Sequence, residues 1–423
     1  MEIHVPKSGP LSRRAIRFEH QDFGCNIEQH PLASHLPKGT GEHPSIQGGS
    51  LEFKAFSVPP NLPLDIKHYL SSYEPLLCLF VTTFRDATLV SITFPHAVSD
   101  AAGTAGMLEA WSHIMCKETN LIPAVVGNYE DVTAMIGIEA DKRSAPEFVL
   151  EKYLLQGFTL IAFAIRYIWD LLTCRNTQSK SIFLSQSFVA TLRSIIEAEL
   201  HAECLDDSKQ FPLSDSDIIL AFLSCAVISS RSTSRPTTIM NVFDMRTRID
   251  NTFDAKGVYQ QNLILGLSTM VPPLSTDDLK LSDIAKNIRQ SILTQATDSQ
   301  ARRLLGIFKS TNTLPLFGTS SSMVIACTNW SKAGLRQKAN FGTASADEQD
   351  MNQSGKAFLP YWGTTLSITD KPRDTFIFYG RGDDGGFWIH GYLRPVTVQL
   401  LEECFALYCK TGAIDPSMLG LLI

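Results

Sequence analysis

The chain lacks most of the short signatures by which an enzyme declares a cofactor. No Gly-x-Gly-x-x-Gly leads from a strand into a helix, and there is no Walker A loop, Gly-x-Ser-x-Gly elbow or His-Glu-x-x-His pair. Dehydrogenases, P-loop enzymes, α/β-hydrolases and zincins are therefore poorly supported. Charge is sparse: charged residues make up 19% of the 423, below the usual quarter, with a net charge of −6. There is no basic stripe for nucleic acid, and the short run RRAIR at 13–17 reads as a solvated edge. The nine cysteines form no Cys-x-x-Cys. They are odd in number and partly set in apolar runs, which suits free thiols in a reducing, cytoplasmic setting. His201 and Cys204 are two ligands without partners, so no metal is expected. The N-terminus has no apolar secretory region. No short-period repeat is present.

One long apolar run exists, Tyr153 to Leu172, near the length of a membrane span. Gln156, Arg166 and Asp170 interrupt it. A buried or lid-like helix is expected, with no stable membrane span.

What is present centres on residues 76–115. Leu76 to Phe84 and Ala87 to Phe94 are rich in β-branched and aromatic residues and read as a hairpin around Arg85-Asp86. Pro95 ends the second strand, and His96 stands at its tip. Ser99 is expected to cap a helix whose first turn carries Asp100 and whose buried face carries Leu108, Trp111 and Met115. A histidine before a helix can project into a cleft, and a carboxylate at a helix start is held ionised by the dipole. In a chain with ten histidines, a chance His-x-x-x-Asp is common. The pentapeptide alone is better explained by a satisfied structural His and a capping Asp.

Residues 1–50 read as loops, 50–58 as a strand and 120–146 as loop-rich. A polar break at 175–181 is the expected crossover between two domains, 1–174 and 182–423, since this length exceeds one compact core. Beyond it come a strand near 181, helices at 188–200, 212–231 and 279–296, a segment at 237–250 that runs from an apolar strand into a charged cluster, and strands at 258–272 and 321–330. A hairpin at 374–393 and a last helix complete the chain. Mixed strands and helices in two halves indicate an α/β sandwich-type (α+β, two-layer) architecture.

Several motifs then fall in a particular order. His96-Ala-Val-Ser-Asp100 resembles the His-x-x-x-Asp signature of the BAHD acyltransferases. Asp244-Met-Arg246-Thr-Arg248 resembles that family's Asp-x-Arg-x-Arg segment, and Gln261-Asn262 its Gly-Asn. Thr328-Asn-Trp330 is similar to Thr-Ser-Trp, and 340–344 (NFGTA) lies where Asp-Phe-Gly-Trp-Gly belongs. The last hairpin also resembles the family's, and the order holds from about residue 50 to the end. The flavour is that of fungal secondary-metabolite enzymes, trichothecene acetyltransferases among them. Departures are Ala101 and Gln261 in place of Gly, and Asn340, Thr343 and Ala344 in the later motif. The stretch before His96 is shorter than the family's, so an opening element of the first domain is expected to be missing.

The resemblance implies two chloramphenicol-acetyltransferase-like domains with a site at their interface. It implies acyl transfer from acyl-CoA, acetyl-CoA foremost, to a hydroxyl of a small secondary metabolite, by a monomer with no bound cofactor. His96 would be the general base, a role suited to a side chain that ionises near neutral pH. Trp330 N–H and the Thr328 hydroxyl would stabilise the oxyanion. Asp100 would pair with Arg246 to shape the site, whereas Asp244 and Arg248 would form surface or interface pairs. N-acylation and a non-catalytic, metabolite- or carrier-binding descendant are the rival readings.

Overall fold

A computed structural model describes residues 14–137, 146–173, 176–203, 212–273, 280–311, 313–340 and 372–414. Their strands are β1 (Ile16–Asp22), β2 (Ser45–Gly48), β3 (Leu77–Thr83), β4 (Thr88–Thr93), β5 (Gln178–Leu184), β6 (Thr237–Asp244), β7 (Ile264–Val271), β8 (Met323–Asn329), β9 (Thr375–Arg381) and β10 (Phe387–Leu393). The helices are α1 (Lys54–Ser57), α2 (Ile66–Ser71), α3 (Ala101–Met115), α4 (Gly157–Thr173), α5 (Gln186–Glu203), α6 (Asp215–Ser229), α7 (Leu281–Gln295), α8 (Asp298–Thr311), α9 (Leu335–Lys338) and α10 (Pro395–Thr411).

Two sheets result. The smaller has the order β1-β3-β4, and the larger β2-β5-β10-β9-β8-β6-β7. The β3–β4 hairpin has the register Thr83↔Thr88. Its alternation buries Cys78, Phe80 and Thr82 on one side of β3. In the larger sheet β6, β8 and β9 run parallel, while β7, β10, β5 and β2 are added antiparallel. One apolar core joins this sheet to α5, α6, α7 and α10, with Phe188, Phe222, Ile284 and Leu401 at its centre. Helix α6 is apolar on nearly every side and almost wholly buried, as such a pattern requires. Ser214 and Asp217 form the expected capping box at its start.

Several expectations need correction. Residues 1–50 are not loop throughout, since they contain β1 and β2. Residues 50–58 form a turn and α1 rather than a strand. Phe53 and Phe56 are three apart, which a strand would send to opposite faces. The helical turn sends both into the cluster with Leu36 and Phe84. The crossover at 175–181 is shorter than expected, because from Gln178 the chain is already β5, paired with β10 (Gln178↔Leu393). β2, from the first half, pairs with β5 at the edge of the second half's sheet.

The apolar run is a helix, α4, but not a buried one. Only Phe163 is enclosed, whereas Phe158, Ile161, Ile165, Ile168, Trp169 and Leu172 are exposed. One edge is tied down where Arg235 meets the Asp170 carboxylate at 2.7 Å and Arg373 donates to the Asp170 carbonyl at 2.7 Å. No helix among the described residues is long and apolar enough to cross a membrane. Gly380-Arg-Gly382-Asp-Asp-Gly385 has the spacing of a dinucleotide loop, yet it turns β9 into antiparallel β10 and leads to no helix.

Candidate active site

The β4–α3 connection carries the candidate residues His96 and Asp100. After Thr93 the chain leaves the sheet at Pro95, and a turn closes with Val98 N–H donating to the Pro95 carbonyl at 2.9 Å. His96 lies within that turn and is exposed. The helix begins one residue later than a Ser99 cap would place it. Asp100, not Ser99, is the N-cap, accepting Gly103 N–H at 3.0 Å, and so it lies outside the first helical turn. The buried stripe of α3 is made of small residues, among them Gly103, Ala105 and Gly106, together with Leu108. Trp111 and Met115 are only half-buried. Small residues are needed there. A Cβ on Gly103 would lie 2.4 Å from Ser99 Oγ and 2.6 Å from the Gln260 carbonyl, and one on Gly106 would lie 2.4 Å from Val258 Cγ1. The Val258 side chain and the Gln260 backbone thus press directly on the helix.

From the other half, β6 ends in a short turn, Met245–Thr247, capped by Asp244 through Arg246 N–H. Arg246 reaches Asp100, which is only 3% exposed, with Nη1 3.0 Å from Oδ2 and Nη2 3.1 Å from Oδ1. The same guanidinium donates to the Tyr259 and Gln261 carbonyls at 3.1 and 2.8 Å. It also meets Asp244 Oδ1 at 2.8 Å. Asp244 therefore turns inward to share Arg246. Asp100 Oδ2 accepts a further hydrogen bond from Leu263 N–H at 2.9 Å. These donors meet the hydrogen-bonding needs of a carboxylate that water hardly reaches. Asn262, between the anchored Gln261 carbonyl and the anchored Leu263 N–H, donates from Nδ2 to the His96 carbonyl at 2.8 Å. Gln261 Nε2 donates to the Gly127 carbonyl at 3.2 Å.

The end of β8 forms another wall. Trp330 packs in one apolar cluster with Ile92 of β4 and with Ala105 and Leu108 of α3. Its indole N–H donates to Thr328 Oγ at 3.0 Å. Thr328 therefore receives the indole N–H and has its own O–H left to donate. Ser112 of α3 donates to the Lys338 carbonyl at 2.6 Å and accepts from Asn340 N–H at 2.8 Å. Asn340 is the one residue of 340–344 within the described residues. The structure therefore brings Asp100, Arg246, Asn262 and the backbone of His96 into one hydrogen-bonded unit, and sets Trp330 and Thr328 beside the strand and helix that flank it. Arg248 lies outside this unit. The Asn262 bridge was not foreseen, because an Asn after a charged cluster reads as a turn residue; only its place in the Gly-Asn segment hinted otherwise.

A histidine at a strand tip is thus bound by its backbone to the far half and stands beside a buried Asp–Arg pair, the arrangement that the acyltransferase resemblance implies. Comparison with known proteins narrows this. The chain belongs to the BAHD-type acyltransferases: a profile described as Transferase family matches residues 61–346. It is 38% identical over 431 residues to acetyltransferase BOT5 of Botryotinia fuckeliana, an alignment covering 95% of this chain and 78% of that protein. It is 33% identical over 412 residues to acetyltransferase pyiB of Pyricularia grisea, covering 95% and 81%. Among solved structures, F. sporotrichioides TRI101 complexed with coenzyme A and T-2 superposes with a TM-score of 0.58 at 16% identity, covering 91% of this chain and 78% of that one. Vinorine synthase gives a TM-score of 0.55 at 12% identity, covering 95% and 78%. The two-domain α/β architecture is thus that of this family.

Proposed function

We propose that this acyltransferase moves an acyl group, acetyl in the first instance, from acyl-CoA to a hydroxyl of a small secondary metabolite, with His96 as the general base. The observation that carries the reading is His96 itself: its ring is exposed at the mouth of the β4–α3 turn while its backbone is held from the opposite half. The names of the fungal relatives support acetyl as the group moved. The TRI101 complex, with coenzyme A and T-2 bound, supports CoA as donor and a small molecule as acceptor. The described cysteines are all free thiols, which suits a reducing, cytoplasmic compartment.

In the proposed step a ring nitrogen of His96 takes the proton from the acceptor hydroxyl as its oxygen bonds to the thioester carbonyl carbon. The resulting oxyanion accepts a hydrogen bond from Thr328 O–H, which Trp330 N–H holds in orientation. Collapse breaks the carbon–sulfur bond, and His96 returns the proton to the departing thiolate. The ester and free CoA leave. No covalent acyl-enzyme intermediate is required. Asp100 and Arg246 do not touch the reacting atoms; they fix the turn and the loop around them.

The test is free-thiol release from acetyl-CoA with a panel of hydroxylated terpenoids and polyketides, plus matched amines. The wild-type protein should turn over with alcohols, and His96→Ala should fold normally yet lose about 10²–10⁴ in rate. A folded His96→Ala protein with full activity would refute the base assignment. Preference for the amines would make the enzyme an N-acyltransferase.

A further inference from the structure

We infer that Asn262 is the positioning residue of His96, holding the base in place through its main chain. This rests on the acyl-transfer reading above. The His96 carbonyl lies in a tight turn outside the sheet, where no ladder can satisfy it. Asn262 Nδ2 meets it at 2.8 Å, across 166 residues of sequence. The amide orientation follows from the partner, since the carboxamide oxygen turned to that carbonyl would set acceptor against acceptor.

A residue serving only its own turn would bond within that turn. Asn262 does not: its Nδ2 is used on His96, and its Oδ1 is buried with no protein partner among the described residues. Retaining such an orphan has a cost, and orphans of this kind gather where function rather than stability selects the side chain. The flanking residues are fixed independently. Arg246 holds the Tyr259 and Gln261 carbonyls, and Asp100 holds Leu263 N–H. The loop is therefore anchored without the Asn262 side chain, and that side chain is the loop's one described bond to the base. Placement of a base matters steeply, because a displacement of about 1 Å can cost 10²-fold.

The experiment is a double-mutant cycle read by free-thiol release from acetyl-CoA with the most active alcohol of the panel. Asn262→Ala should lower kcat by about 10-fold to 100-fold, leave KM for acetyl-CoA within about twofold, and leave the urea midpoint near wild type. In a His96→Ala background the same change should cost less than about twofold, because it acts through the missing ring. Isosteric Asn262→Asp, which places an acceptor against the carbonyl, should behave like Asn262→Ala and serves if the alanine variant does not fold. Equal losses in both backgrounds, or an unchanged kcat in wild type, overturn the positioning role. Turnover that His96→Ala abolishes and Asn262→Ala leaves intact sinks this role alone. An absence of turnover with every acceptor sinks the acyl-transfer reading and this role with it.

Discussion

Both carboxylate oxygens of Asp100 face the guanidinium of Arg246, at 3.0 and 3.1 Å, across 146 residues of chain. The pair is more than a salt bridge between halves. Its anion caps α3 and holds Leu263, while its cation gathers three further oxygens around the 259–261 loop. Together with Asn262, these two residues tie the His96 turn and the start of α3 to the 259–263 loop of the second half.

Removing one partner of a buried pair strands the other. Asp100→Ala takes away the helix cap, the acceptor for Leu263 N–H and the counter-charge of Arg246 at once. Stability should fall by about 3–5 kcal/mol, with activity lost in parallel. Urea unfolding followed by circular dichroism checks this. An unchanged midpoint would mean that the pair is dispensable for the fold.

Gly103→Ala tests the close approach of loop and helix. The added methyl would meet Ser99 Oγ at 2.4 Å and the Gln260 carbonyl at 2.6 Å, and the second of these is main chain that cannot rotate away. The loop must shift, at a cost of about 1–3 kcal/mol. The Asp100–Leu263 and Asn262–His96 bonds should stretch with it. The expected outcome is a kcat loss larger than the loss of stability explains, in a protein that still folds. An alanine variant with wild-type kcat would show that the loop can move without disturbing His96.

Where apolar period and caps agreed, the fold was legible. The β3–β4 hairpin, α3, the capping box of α6 and the last hairpin all follow from local pattern. Legibility failed where tertiary partners decide. β1 is largely exposed and polar, and it is a strand because β3 offers it a parallel edge. β2 is four residues that only β5 makes into a strand. At α4, apolar content did not decide between the buried and the lid-like alternative, since it says nothing of which surface is available to cover the helix. The site divides in the same way. His96, Asp100, Arg246, Thr328 and Trp330 were named from motif order, but neither the N-cap role of Asp100 nor the Trp330–Thr328 bond could be read from spacing. Both depend on side-chain direction at chain ends, where a shift of one residue changes the partner.

The Trp330–Thr328 bond orders the effects of two substitutions. Thr328→Val keeps the shape and removes the hydroxyl, so kcat should fall by about 10²–10³ if Thr328 is the oxyanion donor. Trp330→Phe keeps an aromatic ring in the cluster with Ile92 and Leu108 but removes the N–H that holds the hydroxyl. Its loss should be smaller, and in the Thr328→Val background it should nearly vanish. Steady-state kinetics of the two singles and the double decide the matter. Additive losses would make the indole an independent donor.

A last expectation concerns pH and lies away from the site. His390 of β10 is 1% exposed, with Nε2 3.1 Å from Ser179 Oγ and 3.3 Å from Ser50 Oγ. Burial pushes its pKa down to about 4 from an ordinary 6.5. Between those values the unfolded chain binds a proton that the folded chain refuses. The imidazole's contribution is therefore intact above about pH 6.5 and is eroded as pH falls toward 4. The erosion should reach about 2 kcal/mol between pH 7 and pH 5. His390→Gln keeps a side chain able to bond either serine and cannot be protonated. Urea midpoints of wild type and His390→Gln should therefore converge on the acid side or cross, the variant losing less. Parallel pH slopes for the two proteins would assign the acid sensitivity to another group and show that His390 is accommodated in its charged form.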